Sequence, residues 1–186
     1  MNVRTIVEES AKNVAVMDVF SKLVQERIIF IDDVIDDDLA NGVIAQMLYL
    51  SALDKDKLIN IYINSPGGIL TSGLAIYDVA KLIKTPIRTV CIGQAASMGA
   101  ILMLMGKERC GLKHSRFMLH QPSGRTFGKY EDIKIDFEEI TILRQNLYNI
   151  LKEHTSIPDI EEHLKLDRWF SSKTALEFGL ITEILE

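Results

Sequence analysis

Gly93-Gln94-Ala95-Ala96-Ser97-Met98-Gly99-Ala100 lies between an apolar strand pattern, Ile87-Arg88-Thr89-Val90-Cys91-Ile92, and an apolar helix pattern, Ala100-Ile101-Leu102-Met103-Leu104-Met105. One hydroxyl therefore sits among nearly side-chain-free neighbours at a strand-to-helix junction. There a serine is exposed while backbone N–H groups point at whatever binds beside it, and small neighbours let a carbonyl come close. The plainer alternative is that Ser97 only caps the following helix and the glycines only serve the turn.

Outward from this junction, strand and helix patterns alternate, which predicts an α/β fold. Arg27–Ile31, Leu58–Ile63, Ile87–Ile92 and Arg116–Leu119 read as strands. Helices are predicted from about Leu39 to Leu53, capped by Asp36, Asp37 and Asp38, and from about Thr71 to Lys84, stopped by Pro86. A long helix is expected over Glu131–His154, with Ile133, Phe137, Ile140, Leu147 and Leu151 on one stripe broadened by Ile150. That stripe serves either to cover the sheet or to meet a second copy. Shorter helices are predicted from Pro158 to Lys165 and from Ser172 to Phe178.

The chain has 186 residues, 47% of them hydrophobic, enough for one substantial core. A formal charge of −5 and the lack of a basic run argue against nucleic acid as a partner. The acid-containing start is not a secretory signal, and no segment approaches the roughly 20 apolar residues of a membrane span. A cytoplasmic location is expected, with Cys91 and Cys110 as free buried thiols and no CxxC-type metal site.

Three signals sit at strand ends, where open α/β sheets place their sites. Pro66-Gly67-Gly68 leaves amides unshielded before a helix, although it also reads as an ordinary turn. Ser97 is the second signal. The third is His120, left at the sheet rim by Gln121-Pro122, whereas His114, His154 and His163 read as solvent-exposed. A serine needs a neighbouring base, and a neutral imidazole is suited to that role. The imidazole in turn needs an acceptor to fix its tautomer. With 26 acidic residues the patterning selects none, but Asp167 is attractive because Trp169 and Phe170 follow it and would hold it firmly.

Tyr62-Ile63-Asn64-Ser65-Pro66-Gly67-Gly68, the Ser97 octapeptide, Met118-Leu119-His120-Gln121-Pro122 and Asp167-Arg168-Trp169-Phe170-Ser171 occur in this order, with Glu177-Phe178-Gly179-Leu180-Ile181 closing the chain. Together they resemble the Clp peptidase (ClpP) family from about Asp18 to the C-terminus. The resemblance implies a crotonase/ClpP-like fold of repeated ββα units. It implies an N-terminal axial segment over 1–17, one peptidase domain over 18–186 and a protruding helical handle over about 123–155. The implied activity is that of a serine endopeptidase, with Ser97 as nucleophile, His120 as base, Asp167 as acid and the N–H groups of Gly68 and Met98 as oxyanion hole. Gly67, Ser123, Gly124 and Arg125 are implied in substrate binding. No metal or organic cofactor is implied in this subunit, ATP being consumed by a partner. The implied partners are further copies in two stacked heptameric rings, a hexameric AAA+ Clp unfoldase docking near Tyr62, and unfolded polypeptide substrates.

Several positions depart from the family pattern. Lys165 and Leu166 replace an acidic residue and an arginine before the aspartate, Arg125 replaces a glycine, and Lys129 stands where glutamine is common. Ser10–Ala15 also lacks the family's Arg-Gly-Glu-Arg-like segment. These departures motivate a second expectation, a divergent subunit that is inactive alone and needs a partner paralogue. An acyl-CoA hydratase or isomerase of the same fold superfamily is a weaker third, because no paired acids for water addition are evident.

Overall fold

Ile59, Ile61 and Ile63 are fully buried while the residues between them are not. This period of two makes the segment a strand covered closely on one face. In the computed structural model, which describes residues 5–9 and 14–186, it is β4 (Ile59–Ser65). Before it come an antiparallel pair, β1 (Thr5–Glu9) and β2 (Val14–Asp18), then α1 (Val19–Gln25), β3 (Ile28–Ile31) and α2 (Asp37–Leu53). After it come α3 (Leu70–Ile83), β5 (Ile87–Ala96), α4 (Met98–Met103), β6 (Glu108–Leu112) and β7 (Arg116–Leu119). The chain closes with α5 (Tyr130–His154), α6 (Ile160–His163), β8 (Arg168–Ser171), α7 (Ser172–Glu177) and β9 (Glu183–Leu185). Part of the segment expected at the axis is thus the β1–β2 pair, and residues 10–13 of the departing stretch lie outside the described residues.

The main sheet runs β3-β4-β5-β6-β9, all pairs parallel, as helical crossovers require. β5 is long enough to have two neighbours on one side. Arg88–Cys91 pair with β6, and Gln94–Ala96 pair with β7. The turn between β6 and β7 is pinned where they part, because the Ser115 hydroxyl donates to the Cys91 carbonyl at 2.7 Å. β8 then adds antiparallel to β7. One apolar cluster runs from Ile29 to Ile181 and contains every residue of α4 except Gly99. Each large aliphatic side chain buried in it contributes roughly 1.5–3 kcal/mol.

α5 is anchored at one end only. Leu147, Tyr148 and Leu151 are buried, whereas Phe137 is 68% exposed and Ile133 and Ile135 are also exposed. The expected stripe is therefore divided, and its N-terminal half leaves the sheet uncovered. Cys91 and Cys110 are free and buried.

Arg27 closes the corner between α2 and the sheet. Its backbone is left-handed (φ 61°), and its guanidinium donates to the carbonyls of Leu50, Asp54, Lys57 and Leu58 at 2.9–3.0 Å. Those groups lie at the end of a helix and its following turn, where the Leu50 carbonyl also accepts the Asp54 N–H. Arg27→Ala is expected to destabilise the protein by about 2 kcal/mol or more, on the scale of hydrogen bonds to a charged group. A lower urea midpoint at unchanged slope would show it.

Candidate active site

β7 positions the site because it touches both strands that lead into it. Along β5 it holds Ala96 opposite Met118, and the Ser97 N–H donates to the Met118 carbonyl at 2.8 Å. Along β8 its last pair is Leu119 with Arg168, so one further step of that register sets His120 against Asp167. The Gln121 N–H adds a bond to the Leu164 carbonyl at 2.9 Å, tying the segment after β7 to the turn that leads to Asp167.

His120 Nε2 lies 2.8 Å from Ser97 Oγ, and His120 Nδ1 lies 3.4 Å from Asp167 Oδ1. With the Nδ1 proton turned toward the carboxylate, Nε2 presents its lone pair and the Ser97 hydroxyl donates to it. The imidazole is well covered, its side chain 22% exposed, but the Asp167 side chain is 68% exposed. Phe170 is buried as expected of a residue holding the acid in place, whereas Trp169 is half exposed and Leu166 is 72% exposed. The acid is held by strand register on one side and open to solvent on the other.

Ser97 has φ 53° and ψ −122°, a conformation costly for a residue with a Cβ. It results from the abrupt change from β5 to α4, and it presents the hydroxyl at the top of the sheet. Met98 is the first residue of α4. Pro66-Gly67-Gly68 packs directly onto this elbow. A Cβ on Gly67 (φ +96°) would lie 2.7 Å from Ser97 Cβ, and one on Gly68 would lie 2.2 Å from the Ile35 carbonyl oxygen. Ile35 grips the loop from both directions, donating to the Gly67 carbonyl at 2.9 Å and accepting from the Ile69 N–H at 2.7 Å. The Gly67 N–H is used by Ser65 Oγ at 3.1 Å. The N–H groups of Gly68 and Met98 have no protein acceptor among the described residues.

A cavity of about 50 Å³ opens beside Ser97 and His120, walled by Gly68, Leu70, Met98, Ile101 and Ser123 and by Leu147, Tyr148 and Leu151 of α5. Leu70 also borders a groove of about 570 Å³ that includes Gly124, Arg125 and the exposed half of α5. Of the residues expected to bind substrate, Ser123 thus lines the cavity, Gly124 and Arg125 line the groove, and Gly67 lies against the Ser97 elbow. Tyr148 went unnoticed in the sequence. Its only signal there is an aromatic residue next to the apolar stripe of α5.

A hydroxyl bonded to an imidazole at a strained strand-to-helix junction, with a carboxylate behind and two unpaired amides nearby, is the arrangement of a serine-type peptidase. A model of the Clp protease family matches residues 10–186. The ATP-dependent Clp protease proteolytic subunit 1 of Salinibacter ruber is 43% identical over 184 residues, covering 97% of this chain and 79% of that protein. The chain belongs to the Clp protease family and is a serine-type endopeptidase.

Two of the other histidines are not solvent-exposed, contrary to expectation. His163 stacks on Phe170 and meets Phe178 edge-on, centroids 6.2 and 5.5 Å away. His154 ends α5 facing inward, its Nε2 2.9 Å from the Tyr77 hydroxyl. Burial, then the neighbouring Lys81, and also Arg109 hold its pKa below the ordinary value, against the pull of Glu153. Burial, with Glu153 and Asp78, pushes Tyr77 up to about 12, so its hydroxyl stays protonated beside the neutral ring. On acidification the unfolded chain binds the His154 proton first. Stability should therefore fall as pH drops below about 6.5, and His154→Gln should flatten that decline in thermal melts between pH 7.5 and 5.5.

Proposed function

We propose that this chain hydrolyses peptide bonds of unfolded polypeptides through Ser97, His120 and Asp167 by way of an acyl-enzyme. The observation that carries the reading is the 2.8 Å contact between His120 Nε2 and Ser97 Oγ at a residue whose backbone is strained. Ser97 Oγ attacks the carbonyl carbon while His120 Nε2 takes its proton. The oxyanion receives the free N–H groups of Gly68 and Met98, donors worth about 2.7–4 kcal/mol each to a transition state. The tetrahedral species collapses as His120 returns the proton to the departing amine. Water then enters and bonds the acyl carbon while His120 takes its proton, and His120 passes that proton to Ser97 Oγ as the bond to the acid breaks. Asp167 keeps the Nδ1 proton on its own side of the ring. Three side chains and two amides complete this cycle, and the residues over 18–186 act as one peptidase domain.

The family membership supports the wider setting: two stacked seven-membered rings, joined by the handle containing α5, working in the cytosol with an ATP-consuming Clp unfoldase. The exposed Ile133, Ile135 and Phe137 on α5 provide apolar surface for such a joint. A second reading, a subunit that reaches full activity only beside a paralogue, is motivated by Lys165, Leu166 and Arg125, which depart from the family pattern near the site. Asp167 is 68% exposed and Leu166 beside it 72% exposed, surface open to a neighbouring subunit of either kind.

Ser97→Ala is expected to abolish fluorophosphonate labelling and to lower peptide hydrolysis by about 10⁶-fold, with Asp167→Asn costing less but still on the order of 10⁴-fold. Labelling that survives Ser97→Ala would rule the serine out. Sedimentation of the purified chain, with a peptide assay on each species, decides between the two readings. Full activity in a homo-oligomer removes the need for a paralogue.

A further inference from the structure

Tyr148 is a tyrosine almost wholly buried at the wall of the cavity beside Ser97, and it is locked from behind. The Arg144 guanidinium lies over its ring, 4.7 Å from the centroid, while Arg144 Nε donates to its hydroxyl at 3.1 Å. Arg144 is itself held by a close ion pair with Glu161 at the start of α6. Removing rotation about a ring in this way makes a wall with a fixed position rather than an adjustable one. The space left is about 50 Å³. At roughly 10–15 Å³ for each water-sized group, it has room for about three to five of them, so the bulk of one ring in its wall decides how large a side chain enters.

We infer that Tyr148 is the specificity-determining residue of this site, limiting the side chain next to the scissile carbonyl to small and medium aliphatic groups, and that Arg144 holds it in place. The inference rests on Ser97 being the nucleophile, since the cavity matters only if the attacked carbonyl lies at Ser97. The wall acts through the bulk of the ring. The hydroxyl serves Arg144.

The test is kcat/KM on one fluorogenic peptide series carrying Ala, Val, Leu, Phe or Trp at that position, measured on the assembled protein. The wild type should fall off after Leu. Tyr148→Ala should raise the Phe-to-Leu ratio by roughly tenfold or more, the range a methylene or two commands in an apolar pocket. Tyr148→Phe should keep the wild-type order. If Tyr148→Ala does not fold, Tyr148→Leu and Arg144→Gln take its place, each expected to raise the same ratio. A ratio unchanged in the folded variants overturns the inference, as does a wild type that prefers Phe. Hydrolysis and fluorophosphonate labelling that persist in Ser97→Ala would instead overturn the reading on which it rests, so the two failures are distinct.

Discussion

Everything at the site depends on β7 pairing with two strands at once. Its parallel register with the end of β5 brings the main chain of Ser97 onto Met118. Its antiparallel register with β8 brings Asp167 alongside His120. A slip of one residue in either ladder would turn the relevant side chain to the opposite face of the sheet. Both registers are guarded by burial, since Phe117 and Leu119 are almost completely inaccessible and Phe170 packs across from Phe117. The hydrophobic core is therefore what aligns the polar groups. The site needs little rigidity of its own, and this accounts for an acid that is largely exposed yet still within reach of the imidazole.

The elbow adds a second, local constraint. Ser97 is held in left-handed backbone by the Met118 bond below it and by α4, whose Ala100 and Ile101 N–H groups donate to its carbonyl. Gly67 presses on the same spot so closely that a Cβ there would meet Ser97 and the Ala96 carbonyl, while Gly68 is pressed in turn by the backbone of Ile35. Strain of this kind persists only where the surroundings over-determine it. The same packing sets the N–H groups of Gly68 and Met98, which have no protein acceptor among the described residues, on the two segments that meet at this elbow.

Much of this was legible from residues alone, for a physical reason. β3, β4, β5 and β7 carry runs of β-branched or large apolar side chains, and α2, α3 and α5 carry caps, breakers or a helical stripe. β6, β8 and β9 escaped notice. Glu-Arg-Cys-Gly-Leu, Arg-Trp-Phe-Ser and Glu-Ile-Leu are strands only because a neighbour pairs with them, which local propensity does not record. The consequence for the site is direct. Ser97 and His120 could be read from the ends of visible strands, but the choice of Asp167 among many acids depends on the register of β8, an invisible one. Without that register, the bulky residues after Asp167 make it attractive, and the resemblance singles it out. The inward turns of His154 and His163 were hidden likewise, because charged neighbours on their helices gave no sign of what packs against the other face.

The one-ended anchorage of α5 has a mechanical corollary. From Leu147 back to Tyr130 the helix extends about 25 Å at 1.5 Å rise per residue. A tilt of about 5° at the seat of Leu147 and Leu151 swings the far tip by roughly 2 Å, through the geometry of a rigid rod of that length. The fulcrum is the same pair of helical turns that walls the Ser97 cavity. Whatever shifts that wall by a fraction of an ångström is magnified at a distant point, and a displacement of the tip is returned, geared down, to the wall.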